Sequence, residues 1–143
     1  MSDNDNTRQQ KLKRGIRQMV ADANKEITAI AVADAKVLAC NDDVVFVDLR
    51  DPRELEREGK IPGAFHCPRG MLEFWVDPES PYHKPVFASG KQLVFYCQSG
   101  WRSALSTKTV QDMGLDNVSH IAGGFTAWKA QGGPVEEVKA KGE

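Results

Sequence analysis

Leu93-Val94-Phe95-Tyr96-Cys97-Gln98-Ser99-Gly100-Trp101-Arg102-Ser103-Ala104-Leu105 is the stretch whose reading decides the fold. Leu93 to Tyr96 form a short apolar run of strand type that stops at a cysteine. Polar and turn-forming positions follow, and a helical pattern runs from Ser103 to Met113, with Ala104, Leu105, Val110 and Met113 as its inward side. This pattern puts Cys97 at the carboxyl end of a buried strand, in front of a helix N-terminus. Such a terminus carries about half a positive charge and unpaired N–H donors, so it favours anions and thiolates. Cys97 is the candidate nucleophile. A lone buried cysteine is more often inert core, and the polar loop after Cys97 argues against that here.

Outward from this stretch, strands and helices alternate. Towards the N-terminus, Val44-Val45-Phe46-Val47 is an uninterrupted strand of the kind buried on both faces, and Asp48-Leu49-Arg50-Asp51 puts charge at its end. Asp51, Pro52 and Glu54 open a helix in capping-box fashion, running to about Glu58 and stopping at Gly59. Ala64-Phe65-His66 is a short strand, Met71 to Phe74 a helical turn, and Trp75 to Gly90 an irregular connection. Towards the C-terminus, Gly114 closes the helix after the cysteine, Val118 to Ile121 is a strand, and Phe125 to Gln131 a last helix.

The first part of the chain reads as a helix from about Arg8 to Lys25, with Leu12, Ile16, Met19, Val20 and Ala23 on one side. It is either a helix on the flank of the domain or a surface for a homodimer or partner contact. Glu26 to Ala31 is a strand and Val32 to Ala39 a short helix. The expected organisation is therefore an N-terminal helical extension over 1–25, one domain over 26–136 and a charged, frayed tail over 137–143. The alternation predicts an α/β fold of roughly five strands, mainly parallel, with helices on both faces. Right-handed crossovers then gather the strand ends, Asp48 and Cys97 among them, on one side.

Bulk properties remove several function classes. A net charge of −1 provides no basic field for nucleic acid and no polybasic membrane signal. No apolar run approaches the ~18 residues of a membrane span. Met1 to Asn6 is polar with no signal-peptide core behind it, which points to the cytoplasm. The three cysteines, Cys40, Cys67 and Cys97, are odd in number and widely spaced, so neither a disulfide scaffold nor a zinc site is expected. Cys40 reads as structural and Cys67 as core rather than resolving thiol. His66, His83 and His120 show no triad spacing, and Trp75 and Trp128 read as packing residues.

At these residues the chain resembles the rhodanese-like family of sulfurtransferases. Val47-Asp48-Leu49-Arg50 with Glu54 is similar to the family's V-D-x-R-x-x-x-E opening. Gly59-Lys60-Ile61-Pro62-Gly63-Ala64 is similar to its G-H-I-P-G-A segment, with Lys60 in place of His. Cys97 to Ala104 resembles the active-site loop, and Gly123-Gly124-Phe125-Thr126-Ala127-Trp128 with Gly133-Pro134 resembles the ending. The likeness covers roughly Ile27 to Val135.

The resemblance implies a rhodanese-like fold and a double displacement. Cys97 takes a sulfane sulfur from thiosulfate or a persulfide, holds it as a persulfide, and yields it to a small thiol, cyanide or a protein thiol, without metal or organic cofactor. Gln98, Ser99, Gly100, Trp101, Arg102 and Ser103 make the substrate loop, Arg102 being placed to orient an anionic donor. Asp48 and Arg50 are expected to hold the loops, and Arg69 to line the pocket mouth. Gln98 stands where thiosulfate-using members often carry Arg. Cysteine phosphatases and arsenate reductases on related folds are the first alternative. Their C-x-x-x-x-x-R loop is one residue longer than the six from Cys97 to Arg102. A non-catalytic rhodanese-like binding module is the second, and Cys97 argues against it.

Overall fold

Strand Gln92–Tyr96 is buried on both faces because its Leu-Val-Phe-Tyr run has no polar side to turn to water. Among the described residues it is the fourth of five strands: β1 Ala29–Ile30, β2 Val44–Asp48, β3 Phe65–His66, β4 Gln92–Tyr96 and β5 Val118–Ile121. All pairs are parallel, in the order β1-β5-β4-β2-β3. The helices are α1 Ile16–Glu26, α2 Val32–Leu38, α3 Pro52–Glu58, α4 Leu72–Val76, α5 Trp101–Met113 and α6 Gly124–Ala130. This computed structural model describes residues 11–140. The expected helical residues Arg8 to Gln10 and tail residues 141–143 lie outside that range. No helix among the described residues is long and apolar enough to cross a membrane.

Side chains on the central strands alternate between two cores. Phe46, Val94, Tyr96 and Ile121 meet α2 and α6 through Val32, Ala35, Phe125 and Trp128. Val47, Leu93, Phe95 and Val118 meet α4 and α5 through Leu72, Val76 and Val110. Helix α1 lies against α5, with Val20 and Ala23 buried. The carboxyl ends of β2, β4 and β5 come out side by side, Asp48 opposite Tyr96 and Phe95 opposite His120.

Four local readings change. Helix α1 begins at Ile16 rather than near Arg8, and Leu12, expected on its apolar side, is 77% exposed. Helix α5 starts at Trp101, not Ser103, because the loop supplies acceptors for its first turn. Its inward side is Ser103, Ala104, Ser106, Thr107 and Val110, whereas Leu105 is half-buried and Met113 is 44% exposed. Burying hydroxyls is tolerated because Ser106 and Thr107 donate to the carbonyls of Arg102 and Ser103, both at 2.7 Å. Cys40, expected to be structural, is exposed just beyond α2. The Trp75–Gly90 connection contains a 3₁₀ turn at Pro85–Ala88 that sends Phe87 into the core.

Candidate active site

Cys97 follows β4 directly and is completely buried. The chain then turns through Gly100, whose φ of +105° is a left-handed conformation that favours glycine. This turn folds the loop back so that N–H groups face the sulfur. Gly100 N–H donates to Cys97 Sγ at 3.1 Å and Ser103 N–H at 3.3 Å. Ser103 is the third residue of α5, and no side chain caps that helix. The sulfur therefore occupies the place of an N-cap oxygen, where negative charge is stabilised by the orphan donors of the first turn.

The loop carbonyls are held away from the sulfur by α6. Phe125 N–H donates to the Cys97 carbonyl at 2.8 Å and Thr126 N–H to the Gln98 carbonyl at 3.0 Å. This approach requires Gly124: a Cβ there would lie 2.5 Å from the Cys97 carbonyl oxygen and 2.7 Å from that of Gln98. The Gly123-Gly124 pair thus lets one helix end fix the back of the loop while the N-terminus of α5 serves its inner side.

Gln98 is tied at both ends. Arg50 Nη1 donates to its Oε1 at 3.0 Å, and its Nε2 donates to Thr126 Oγ1 at 3.1 Å. Arg50 is itself fully buried, with Nε and Nη2 on the two oxygens of Asp48 at 3.0 and 2.7 Å and Nη2 also on the Gly59 carbonyl at 2.7 Å. Its guanidinium carbon sits 4.3 Å from the Phe125 ring centre. Asp48 and Arg50 therefore join the end of β2 to the loop, and Asp48 is fully committed to the pair.

Arg102 does not reach over the sulfur as a free cation. Its Nη1 and Nη2 donate to Glu54 Oε2 and Oε1 at 2.9 and 2.8 Å. The same Glu54 accepts from Asp51 N–H at 2.9 Å, completing the capping box of α3. The Arg102 guanidinium holds the Glu54 carboxyl below its usual range. Ser99 and Trp101 are exposed, and the guanidinium of Arg17 lies 5.7 Å from the Trp101 ring centre.

Arg69 pairs with Glu73 at 2.8 Å and borders a cleft with Arg14, Asp22 and Lys108. The reason is that the 3₁₀ turn Arg69–Met71 and α4 set Arg69 and Glu73 one helical turn apart. Cys67 is buried beside the Pro68 carbonyl, and burial pushes its thiol up to about 12. His66 and His83 bind backbone carbonyls of Arg50 and Trp75.

His120 and Asn24, which the sequence reading passed over, are joined to the sulfur through Ser103. Ser103 Oγ lies 3.6 Å from Cys97 Sγ and 2.9 Å from His120 Nδ1. His120 Nε2 lies 3.2 Å from Asn24 Oδ1 on α1. The available signal was parity: His120 is two residues from Val118 on β5, and so shares the face that packs on α5. A cleft of about 370 Å³ between α1, β5 and the loop is bordered by Asn24, Ile27, Trp101 and His120. Among the described residues, no group of His, Cys, Asp and Glu is arranged to hold a metal ion.

A parallel five-stranded sheet with a cysteine cradled by helix N–H groups at the end of its central strand defines a class of protein. The chain belongs to the rhodanese-like domain family, whose model matches residues 31–131. Relatives include a sulfurtransferase of Allochromatium vinosum, 31% identical over 98 residues, or 68% of this chain and 83% of that one. An uncharacterized protein of Synechocystis is 32% identical over 120 residues, or 84% of this chain. The match spans 62% of that protein's length. Among solved structures, a protein of unknown function from Rhodopseudomonas palustris, described as a possible tyrosine phosphatase, is 58% identical with a TM-score of 0.87. That match covers 90% of this chain and 98% of the other.

Proposed function

We propose that the protein is a sulfurtransferase that carries sulfur on Cys97. The observation that carries this reading is the pair of N–H bonds to the Cys97 sulfur, from Gly100 and Ser103, in a six-residue loop whose arginine is already bound to Glu54. The Cys97 thiolate attacks the outer sulfur of a donor; the S–S bond forms as the donor's own bond to that sulfur breaks, releasing a thiolate or sulfite. The cradle then holds the persulfide until an acceptor thiolate or cyanide attacks its outer sulfur and returns Cys97 as thiolate. With Arg102 occupied and a neutral Gln98 beside the sulfur, the donor that fits is an organic persulfide or polysulfide rather than thiosulfate. No metal or organic cofactor takes part. The acceptor class is a small thiol, cyanide or a protein thiol, and the compartment consistent with thiol chemistry is the cytoplasm.

Intact-mass measurement after incubation with glutathione persulfide, mercaptopyruvate and thiosulfate tests this. A gain of about one sulfur (~32 Da), absent in Cys97→Ser and retained in Cys67→Ser, is the expected result. A second reading, a cysteine phosphatase, is favoured by the description of the Rhodopseudomonas relative. Hydrolysis of an aryl phosphate without sulfur uptake establishes it in place of the first. Against it, a phosphoryl dianion needs a free guanidinium and a protonated acid, and both Arg102 and Asp48 are held in ion pairs.

A further inference from the structure

The N–H cradle needs neither His120 nor Asn24, yet hydrogen bonds join both to the sulfur. The chain of contacts is Cys97 Sγ to Ser103 Oγ at 3.6 Å, Ser103 Oγ to His120 Nδ1 at 2.9 Å, and His120 Nε2 to Asn24 Oδ1 at 3.2 Å. Cys97 and Ser103 are fully buried and His120 is 3% exposed, whereas Asn24 is exposed at the α1 cleft. Ser, His and Asn each donate and accept. The row therefore connects a buried thiol to water. Asn24 also lies outside residues 31–131, so helix α1 adds something that the family match does not contain.

Burial alone pushes His120 down to about 4, so it rests as a neutral ring with one N–H and one lone pair. The same heavy-atom frame accepts two proton orders. In the first, Nε2–H donates to Asn24 Oδ1, the Ser103 hydroxyl to Nδ1, and the Cys97 S–H to Ser103 Oγ. In the second, the Ser103 hydroxyl donates to the thiolate, Nδ1–H donates to Ser103 Oγ, and Nε2 accepts from the turned Asn24 amide. Passing from first to second moves the thiol proton to Ser103, the serine proton to Nδ1, and the Nε2 proton to a water in the cleft. One proton leaves, the thiol becomes a thiolate, and His120 is neutral before and after.

We propose that Ser103 and His120, oriented by Asn24, are a proton relay that delivers the Cys97 thiol proton to water in the α1 cleft and leaves the thiolate hydrogen-bonded by Ser103. His120 and Asn24 are then positioning residues that act through Ser103. The proposal rests on Cys97 being the nucleophile, the same premise as the sulfurtransferase reading.

The test follows alkylation of Cys97 by iodoacetamide in the full chain, read by peptide mass, a readout that needs no sulfur donor. Ser103→Ala and His120→Gln are expected to slow Cys97 about 10-fold and Asn24→Ala about 3-fold. Imidazole added to Asn24→Ala restores the rate through the cleft, and exposed Cys40 is alkylated equally in every sample. If His120→Gln fails to fold, Asn24→Ala decides, since its side chain is at the surface. Unchanged rates in Asn24→Ala and His120→Gln overturn the relay. Sulfur uptake with unchanged alkylation rates keeps the sulfurtransferase and removes the relay. No uptake from any donor together with the expected alkylation pattern does the reverse.

Discussion

Glu54 grips Arg102 with both carboxylate oxygens, at 2.9 and 2.8 Å, while capping its own helix through the Asp51 N–H. One carboxylate thus joins the start of α3 to the start of α5 and neutralises the cation nearest the loop's end. Under the proposed function this pairing disfavours a dianionic donor, since a guanidinium already paired offers less to a dianion.

In Glu54→Gln the capping amide remains but the anion is gone, so Arg102 becomes available to thiosulfate. The ratio of kcat/KM for thiosulfate to that for glutathione persulfide should rise about 5-fold, roughly 1 kcal/mol of one charge-assisted contact. An unchanged ratio would mean that Arg102 plays no part in donor choice.

Arg50 and Asp48 are a fully buried pair, so removing one partner strands the other charge without water. Arg50→Met is expected to cost about 3–5 kcal/mol of unfolding free energy in urea titration. Arg50→Lys keeps the charge but lacks the fork that reaches Asp48, Gly59 and Gln98 together, and should lose loop function before it loses the fold. Equal stability of Arg50→Met and the unaltered protein would contradict this account.

Gly124→Ala places a methyl 2.5 Å from the Cys97 carbonyl at a φ of +60°. The loop must shift or α6 must retreat, at a cost of about 2 kcal/mol or more and with loss of sulfur uptake. Gly114→Ala, where φ is +119° but nothing lies within 4 Å, is the matched control. It should cost about 1 kcal/mol and leave uptake intact.

Acid should weaken the fold in two separable steps. His120 has a folded pKa near 4, below the 6.5 of the free ring, so the unfolded chain binds the extra proton first. Stability is full above about pH 6.5 and falls towards pH 4, by roughly 3 kcal/mol at most. Glu54 is held below the 4.5 of a free glutamate, so its contribution is present above about 4.5 and is lost further down. Urea midpoints measured against pH should lose the upper step in His120→Gln and only part of the lower one in Glu54→Gln, because Asp22, Asp51 and Glu73 are also held below the usual carboxylate range. A curve in His120→Gln that still falls between pH 6.5 and 4 would show that another group titrates there.

Much of the architecture was legible in local pattern. The apolar runs of β2 and β4 read as buried strands because neither face offers water a polar side chain. Asp51, Pro52 and Glu54 announced the start of α3 through residues within one helical turn. The start of α5 was misplaced by two residues because its cap is a sulfur rather than a serine or aspartate oxygen. The pairing of Arg69 with Glu73, only four positions away, was open to local reading but not drawn from it.

The sequence by itself determined the alternating elements, the place of Cys97 at the end of a buried strand, and the six-residue spacing to Arg102. These follow from side-chain period, turn chemistry and the backbone donors of a helix N-terminus, all of which act over a few residues. Only the tertiary structure decided what each loop side chain faces. Gln98 meets Arg50 from 48 positions away, Arg102 meets Glu54 from 48, and His120 meets Asn24 from 96. Such pairings arise when packing brings separate helices and strand ends together, and no local periodicity encodes them.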